Sequence, residues 1–299
     1  MDYKKIAILI LLILIGIILI YTSKTENFAV NNIIFLNKKS VSNIFKNNIG
    51  YLKSFNLYDI KSRNLRTSNV LKFYQDRILE FTEKDKDFLS KAVQIIKTKA
   101  RKEPRKWRFL YSMTWKFAKL SDELEYSFPH THSDTIFIPE TMLKSDLSDK
   151  LIGTLVHEMI HVWQRKSPNR FEYLYQYHWK FTRVENICNS SKYLKKMRSN
   201  PDIHHIFYIF NNNILPLTIF DDLYNTSFVG IPIKNFKIDD SKKVLLLTEI
   251  KEYNDFFGIS YNHYHPNELS AELLSKIFID QRVNSPATKK LEKWLDRQY

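Results

Sequence analysis

One stretch of twelve residues, TLVHEMIHVWQR from Thr154 to Arg165, constrains the fold of this chain more than any other. Two histidines, His157 and His161, lie four positions apart within a run of apolar residues. On an α-helix this spacing places both imidazoles on one face, where they can bind one metal ion. The sequence therefore predicts a helix here, and a fold that brings a further ligand to one side of it.

The residues that flank the motif indicate where this helix begins and ends. Asp146 or Ser148 can cap its first turn, and Ser167-Pro168 ends it. Its buried side is expected to consist of aliphatic residues and one methionine: Leu151, Ile152, Leu155, Met159 and Val162. The two histidines therefore lie within a helix and not in a loop.

The residue types of the motif suit zinc. A catalytic zinc site has three protein ligands, from nitrogen or carboxylate donors, and one open position for water. Glu158 is rotated about 100° from His157 around the helix, so it reaches toward the water and not toward the ion. A carboxylate in that place can act as a general base. We therefore expect His157 and His161 to be zinc ligands and Glu158 to be the catalytic residue.

The segment HEMIH, followed far downstream by NELSAE, resembles the gluzincin class of zinc metallopeptidases, in which a glutamate on a later helix is the third ligand. The resemblance implies that Glu268 is this ligand and that Glu272, one turn later, accepts the other N–H of a ligand histidine. His263 and His265 lie close by and remain alternative third ligands. The resemblance also implies Zn²⁺ as the cofactor, a peptide or protein substrate, and hydrolysis of peptide bonds by a metal-activated water.

Other segments carry weaker structural signals. A helix is expected to begin after Thr82 with a capping box and to end before Pro104. Pro266 is well placed in the first turn of a helix with apolar positions at Leu269, Leu273, Leu274 and Ile277. The segment KWRFLYSMTWKFAKL favours strands, and residues 170–253 carry further helical patterns.

Ser133–Pro139 predicts a short apolar strand, which we expect to be the edge strand that pairs with extended substrate. His130 and His132 precede this strand and are interpreted as loop histidines, with a reach into the cleft as the alternative. Tyr261 and Tyr264 are candidates to donate a hydrogen bond to a developing oxyanion.

These elements together predict an α+β fold. Residues 71–299 would form a zincin-like metallopeptidase body with a mainly helical C-terminal part, and the Asn- and Lys-rich residues 23–70 would form a stalk or a loosely packed lead-in. Residues 1–22 contain Ile6–Tyr21, an uncharged run of mostly Ile and Leu that predicts a single membrane-spanning anchor. A cleaved signal peptide is the alternative, but no small-x-small cleavage site follows. Lys4 and Lys5 favour a cytoplasmic N-terminus, with the body across the membrane.

The net charge of +14 is partly concentrated in residues 97–108. Attraction to anionic lipid or nucleic acid is one interpretation, and a solvated helix end is the preferred one. Basic and aromatic residues do not alternate there, so no specific nucleic-acid binding is expected. The excess of Lys, Asn and Ile, which an AT-rich genome also explains, resembles that of large-DNA-virus proteins and adds a host or virion membrane to the candidate locations. Cys188 is the only cysteine, so no intrachain disulfide is expected.

Two alternative functions stay open. The chain could be a catalytically inactive, membrane-tethered structural or binding protein with a zincin-like core, although a purely structural site has no use for a base at Glu158. A zinc hydrolase with another substrate would share the same ligands.

Overall fold

The computed structural model describes residues 32–65, 69–184, 194–203, 206–220, 233–237, 244–258 and 264–297. The expected anchor Ile6–Tyr21 lies outside the described residues, as do Cys188, Tyr261 and His263. Within the described part of the chain, no helix is both long and apolar enough to span a bilayer.

A mixed five-stranded sheet organises the N-terminal half. Its strands are β1 (Ile33–Phe35), β2 (Ile78–Leu79), β3 (Trp115–Leu120), β4 (His130–His132) and β5 (Thr135–Pro139). They run in the order β1, β3, β5, β4, and β2 pairs with β3 beside this path. The β1–β3 and β3–β5 pairs are parallel, whereas β4 runs antiparallel to β5. Strand β5 is therefore interior, and β4 is the edge strand, which corrects the expectation for Ser133–Pro139.

Helices cover this sheet from the start of the described chain. They are α1 (Lys38–Asn47), α2 (Ile49–Lys53), α3 (Leu57–Ser62), α4 (Val70–Gln75), α5 (Glu83–Ala100) and α6 (Arg108–Ser112). Val41 and Phe45 of α1 and Tyr74 of α4 are buried in a core that includes Phe137 of β5. The expectation of a stalk is thus wrong for residues 32–65, because their apolar side chains are needed to cover one face of the sheet.

The second half combines helices with a separate sheet. The longer helices are α7 (Asp149–Lys166), α8 (Pro168–Tyr173), α9 (Lys251–Phe257), α10 (Pro266–Phe278) and α11 (Pro286–Leu295). Short 3₁₀ turns span Glu125–Ser127, Glu140–Lys144, Leu194–Lys196 and Leu247–Glu249, and one π turn spans Leu174–His178. Helix α7, with its N-cap at Ser148, and helix α10, with Pro266 in its first turn, confirm the two predictions on which the site depends. Helix α5 likewise begins at the capping box of Thr82 and Asp85.

An antiparallel sheet occupies much of the segment in which helices were expected. It consists of β6 (Phe181–Val184), β7 (Phe207–Phe210), β8 (Ile214–Thr218), β9 (Ile233–Lys237) and β10 (Val244–Leu246), each strand pairing with the next. The helical interpretation of residues 170–253 is therefore wrong over these strands. In β7 the burial alternates, with Tyr208 and Phe210 in the main core and Phe207 and Ile209 on the other side. This two-residue period is that of a strand with apolar residues on both faces.

The expectation of strands throughout KWRFLYSMTWKFAKL is wrong for its first part, which forms α6 before β3 begins. Tertiary packing decides this conformation. The ring of Phe109 stacks on that of Trp163 in α7, with centroids 4.1 Å apart, and Trp115 Nε1 donates to the carbonyl of Leu110. Both contacts require the chain to turn back before the strand, which overrides the local preference of aromatic residues for strands.

Candidate metal centre

Two buried helices carry the centre. Helix α7 places Leu155, Val156, Met159 and Ile160 in the main core, and each of these residues has no measurable exposure. Helix α10 packs directly against it. Gly153 of α7 permits a close approach at the end of α10, because a Cβ atom there would lie 3.0 Å from Cδ1 of Ile279. The two helices are thus held together by core packing.

Three side chains from these helices converge. The Nε2 atoms of His157 and His161 lie 3.0 Å apart, and Oε2 of Glu268 lies 3.4 Å from the first and 3.6 Å from the second. Candidate ligand atoms of the three residues all lie within 4.8 Å of one another. Among the described residues this is the one group of three or more such side chains that could hold a metal ion. The structure therefore brings together the three ligands expected from the sequence.

The donor atoms fit a zinc ion in kind and in spacing. Zinc–nitrogen and zinc–carboxylate bonds of about 2.0–2.2 Å in a tetrahedral site place neighbouring donor atoms roughly 3.3–3.6 Å apart. The three separations here, 3.0, 3.4 and 3.6 Å, lie close to that range. Two imidazole nitrogens and one carboxylate leave the fourth position open, which is the composition of a catalytic and not of a closed structural zinc site.

The orientation of His161 is set by Gln164, one turn further along α7. Gln164 Nε2 donates to the carbonyl of Asn267 at 2.8 Å and to Oγ of Ser270 at 2.9 Å, which leaves its Oε1 facing Nδ1 of His161 at 2.9 Å. An amide oxygen accepts a hydrogen bond, so in the neutral imidazole Nδ1 carries the proton and Nε2 presents its lone pair toward the other two candidate ligands. Gln164 therefore selects the tautomer that can bind a metal ion.

Asn200 fixes the orientation of the Glu268 carboxylate in the same way. Its Nδ2 donates to Oε1 of Glu268 at 2.8 Å and to the hydroxyl of Tyr264 at 2.7 Å. Because Oε1 is held in this way, Oε2 is the carboxylate oxygen that faces the two histidines. The Tyr264 hydroxyl also accepts from Nη2 of Arg198 at 3.0 Å. Burial raises the pKa of Tyr264 to about 12, although Arg198 opposes the shift.

Glu158 is buried beside the cluster, and one of its two carboxyl oxygens is not hydrogen-bonded. Only 4% of the residue is exposed, and its Oε2 atom has no hydrogen-bond partner in the structure. Burial raises the pKa of this carboxyl well above its usual value, and the carboxylate of Asp202 adds to the shift. A buried carboxylate oxygen without a donor is costly for stability, so its presence here points to a functional demand.

The charges of the three ligand residues favour binding of a cation. Burial opposes the charged form of His161, yet the carboxylates of Asp202 and Glu268 outweigh it and raise the pKa of the imidazole to about 9. Burial also favours the neutral acid of Glu268, but His161 and His157 hold the pKa of this carboxyl well below its usual range. The cluster thus keeps an ionised carboxylate and attracts positive charge to the histidines.

Two other expected site residues are placed elsewhere. His265 caps α10: its Nδ1 accepts from the backbone N–H of Asn267 at 3.1 Å, and its Nε2 lies 3.2 Å from the carbonyl of Ile206. Both ring nitrogens are therefore engaged, and burial lowers the pKa of His265 to about 3. In the part of the chain that the structure describes, the group of side chains that could hold a metal ion consists of His157, His161 and Glu268, so the structure does not bring His265 together with the two histidines as a third ligand. Glu272 forms an ion pair with Lys276 at 2.6 Å. At His161 the orienting role expected of Glu272 belongs to Gln164, and its role toward His157 stays a prediction.

The histidines of the segment before β5 are not loop residues. His130 and His132 form the ends of edge strand β4, and each is 4% exposed. The ring of His130 stacks on that of Phe137 with centroids 5.2 Å apart, and the His132 ring lies edge-on to the same phenyl ring. Their side chains thus pack in the aromatic core of the first sheet.

Sequence reasoning missed Gln164 and Asn200. Gln164 carries a signal that a helical count would have found, since it lies three residues after His161 and hence on the same face. Asn200 carries none, because it precedes Pro201 in a segment without any periodic pattern. A scan against protein-family models and searches of curated proteins and of solved structures found no match to this chain.

Proposed function

We propose that this chain is a zinc-dependent peptidase that hydrolyses peptide bonds, with His157, His161 and Glu268 as metal ligands and Glu158 as general base. The observation that carries the proposal is the convergence of three donor atoms at zinc-like spacing beside a buried carboxylate that has an oxygen without a partner. A purely structural site gains nothing from the second feature, because the unpaired oxygen only destabilises the fold.

The residues divide the chemical work among them. A bound zinc ion would supply Lewis acidity at the fourth position and make a water there more acidic. Glu158 Oε2 is free to accept a proton, and the raised pKa of the carboxyl allows it to retain that proton and pass it to the leaving nitrogen. Gln164 and Asn200 hold His161 and Glu268 in place during both steps. Burial of Glu158, His161 and Glu268 excludes bulk water.

The cellular setting is part of the proposal. Ile6–Tyr21 would anchor the protein in a membrane by a single span, with the folded body attached to it. This rests on the apolar run in the sequence alone.

Metal analysis of the full-length chain in detergent tests the proposal. We expect one zinc per chain, lost in His161→Ala and Glu268→Ala and kept in Glu158→Gln and in His178→Ala, a histidine of the π turn that serves as control. Cleavage of fluorescein-labelled casein should follow zinc content, except in Glu158→Gln, which should bind zinc without cleaving. Absence of zinc from the wild-type chain would refute the proposal. Zinc binding with unchanged biological activity of Glu158→Gln would favour a binding or structural protein.

A further inference from the structure

A short segment of polar residues crosses the region between the metal centre and the edge of the first sheet. We call Arg198–Asp202 the strap. Its side chains bond to separate parts of the fold: Arg198 to Tyr264, Ser199 to Asp59, Asn200 to Glu268 and Asp202 to Thr131. The strap therefore joins the metal ligand of α10 to the free side of strand β4.

The contact with β4 occupies both backbone groups of its central residue. Asp202 Oδ1 accepts the backbone N–H of Thr131 at 3.0 Å, and Nη2 of Arg165 donates to the backbone carbonyl of Thr131 at 3.2 Å. Arg165 Nη2 also donates to Asp202 Oδ1 at 3.2 Å, which closes a ring of three residues. We call this ring the clasp.

The clasp reproduces the pattern that an added strand would offer. A residue that pairs with the free side of an edge strand presents one carbonyl to its N–H and one N–H to its carbonyl. Here the Asp202 carboxylate stands where the carbonyl would be, and the Arg165 guanidinium stands where the N–H would be. Extended peptides commonly bind by adding a strand to a sheet edge, and this edge is closed to them at Thr131.

The clasp is also next to the catalytic groups. Arg165 follows His161 by four residues and Glu158 by seven, so the three side chains share one face of α7, roughly 6 and 10 Å apart along the helix axis. A polypeptide lying along β4 would therefore have its backbone within a few residues of the metal centre. The strap therefore lies where an extended polypeptide paired with β4 would pass the metal centre.

The strap is fixed at Ser199, and the clasp at its other end reaches solvent through Arg165. Ser199 is buried, its N–H and hydroxyl donate to the carboxylate of Asp59, and its carbonyl accepts from Arg63. At the clasp the side chain of Asp202 is 8% exposed, and that of its partner Arg165 is 29% exposed. Solvent thus reaches the clasp from the side of Arg165, while Asp59 and Arg63 hold the other end of the strap in place.

We propose, on the basis of the peptidase function proposed above, that the clasp is an autoinhibitory plug: an extended polypeptide reaches the metal centre only when it displaces Asp202 and Arg165 from Thr131. Asp202 and Arg165 would compete with substrate from within the same chain, without binding the metal ion themselves. The clasp would thus keep the enzyme latent without a cysteine that binds the metal, since the sequence has no cysteine before position 188. Because the plug competes with binding of the polypeptide, its loss lowers KM for extended polypeptides.

The test compares Asp202→Ala and Arg165→Gln with Asp134→Ala in the full-length, zinc-loaded chain. Asp134 lies in the turn between β4 and β5 and pairs with Lys116 at 2.8 Å, so its loss removes a similar ion pair from the same hairpin without opening the edge. We expect KM for labelled casein to fall about tenfold in both clasp variants and to stay unchanged in Asp134→Ala. Hydrogen exchange of the peptide containing Thr131 should accelerate in the clasp variants alone.

The outcomes separate this proposal from the peptidase function. An unchanged or higher KM in the clasp variants, with faster exchange at Thr131, would overturn the plug and leave the peptidase intact. Zinc content of one per chain without casein cleavage in any variant would overturn the plug and point to another substrate class. Absence of zinc would overturn the proposed function, and the plug with it. If Asp202→Ala fails to fold, Arg165→Gln carries the test with the same expectations.

Discussion

Two glutamates of this protein are buried to the same degree and in opposite states. Glu125 is 3% exposed and Glu158 is 4% exposed. Glu125 accepts hydrogen bonds from the hydroxyls of Tyr51 and Tyr74 and from Nε and Nη2 of Arg63. Glu158 has an oxygen that accepts none. The fold is thus able to satisfy a buried carboxylate fully, and at Glu158 it does not.

The electrostatics of the two carboxyls differ accordingly. Burial alone would raise the pKa of both. At Glu125 the charge of Arg63, helped by His130, outweighs burial and lowers the pKa. At Glu158 the neighbouring Asp202 carboxylate reinforces burial, and the pKa is raised well above its usual value. Glu125 therefore stabilises the fold as an anion, whereas Glu158 is poised to take up a proton.

Glu158→Gln is the substitution that should separate the two glutamates most clearly. We expect the proposed peptidase activity to fall by roughly 10²–10⁴-fold, because the proposed general base is lost. Stability should stay the same or increase, because the change removes a buried carboxyl group whose Oε2 lacks a hydrogen-bond partner. Casein cleavage and urea unfolding of the same preparation check the two halves. A clear loss of stability would show that Glu158 has a structural role like that of Glu125.

Glu125→Gln should instead lower the stability of the protein. Removing the Glu125 carboxylate from this buried network leaves the Asp59 carboxylate, 2.8 Å from Nη1, to balance the charge of Arg63, and we expect a loss of about 3 kcal/mol in the free energy of unfolding. The control is Glu123→Gln, two residues earlier, whose ion pair with Arg77 is on the surface and should contribute less than about 1 kcal/mol. Chemical denaturation measures both. Equal effects of the two substitutions would contradict the importance assigned to burial.

Gln164→Leu should weaken zinc binding by roughly 10–100-fold, because Nδ1 of His161 loses the acceptor that fixes its tautomer. The matched control is Gln176→Leu, since Gln176 is exposed and bonds to Glu172. Competition with a chromophoric chelator gives the two affinities. Unchanged affinity in Gln164→Leu would mean that packing alone orients the ligand.

The smallest expected effect is the pH dependence of stability in the metal-free protein. The pKa of His161 is about 9 in the fold against 6.5 in the unfolded chain, so its stabilising contribution is complete below pH 6.5 and is lost as the pH rises through 9. Glu158, with its raised pKa, adds a loss in the same direction above pH 4.5. Glu125 has a lowered pKa, so its contribution is present above pH 4.5 and is lost on acidification.

Thermal unfolding in EDTA should therefore show a decline toward pH 9 on the order of 1 kcal/mol or more. The decline should be smaller in Glu158→Gln, and zinc should remove most of it by replacing the proton on His161. A stability that rises between pH 6.5 and 9 in the metal-free protein would contradict the raised pKa values.

The helix that carries His157, Glu158 and His161 was predictable, because apolar residues at helical spacing between a serine cap and a proline are typical of an α-helix. Glu268 followed from the resemblance of its segment to a known pattern, and not from periodicity. The edge strand was misassigned because three residues, His130–His132, are too few to show the alternation of a strand. Asn200 and Asp202 were invisible, because a segment without regular structure reveals its partners only in three dimensions.

The separation of the ligands along the chain has a consequence for folding. His161 and Glu268 belong to helices joined by a stretch of roughly 100 residues, which includes the whole second sheet. An ion bound to both would close that loop as a disulfide does, and closing a loop of this length removes entropy worth about 4–5 kcal/mol from the unfolded chain. The sequence has a single cysteine, so the metal ion would supply the cross-link between distant segments that a disulfide supplies in other proteins. Loss of the metal would then make the second sheet more susceptible to proteolysis.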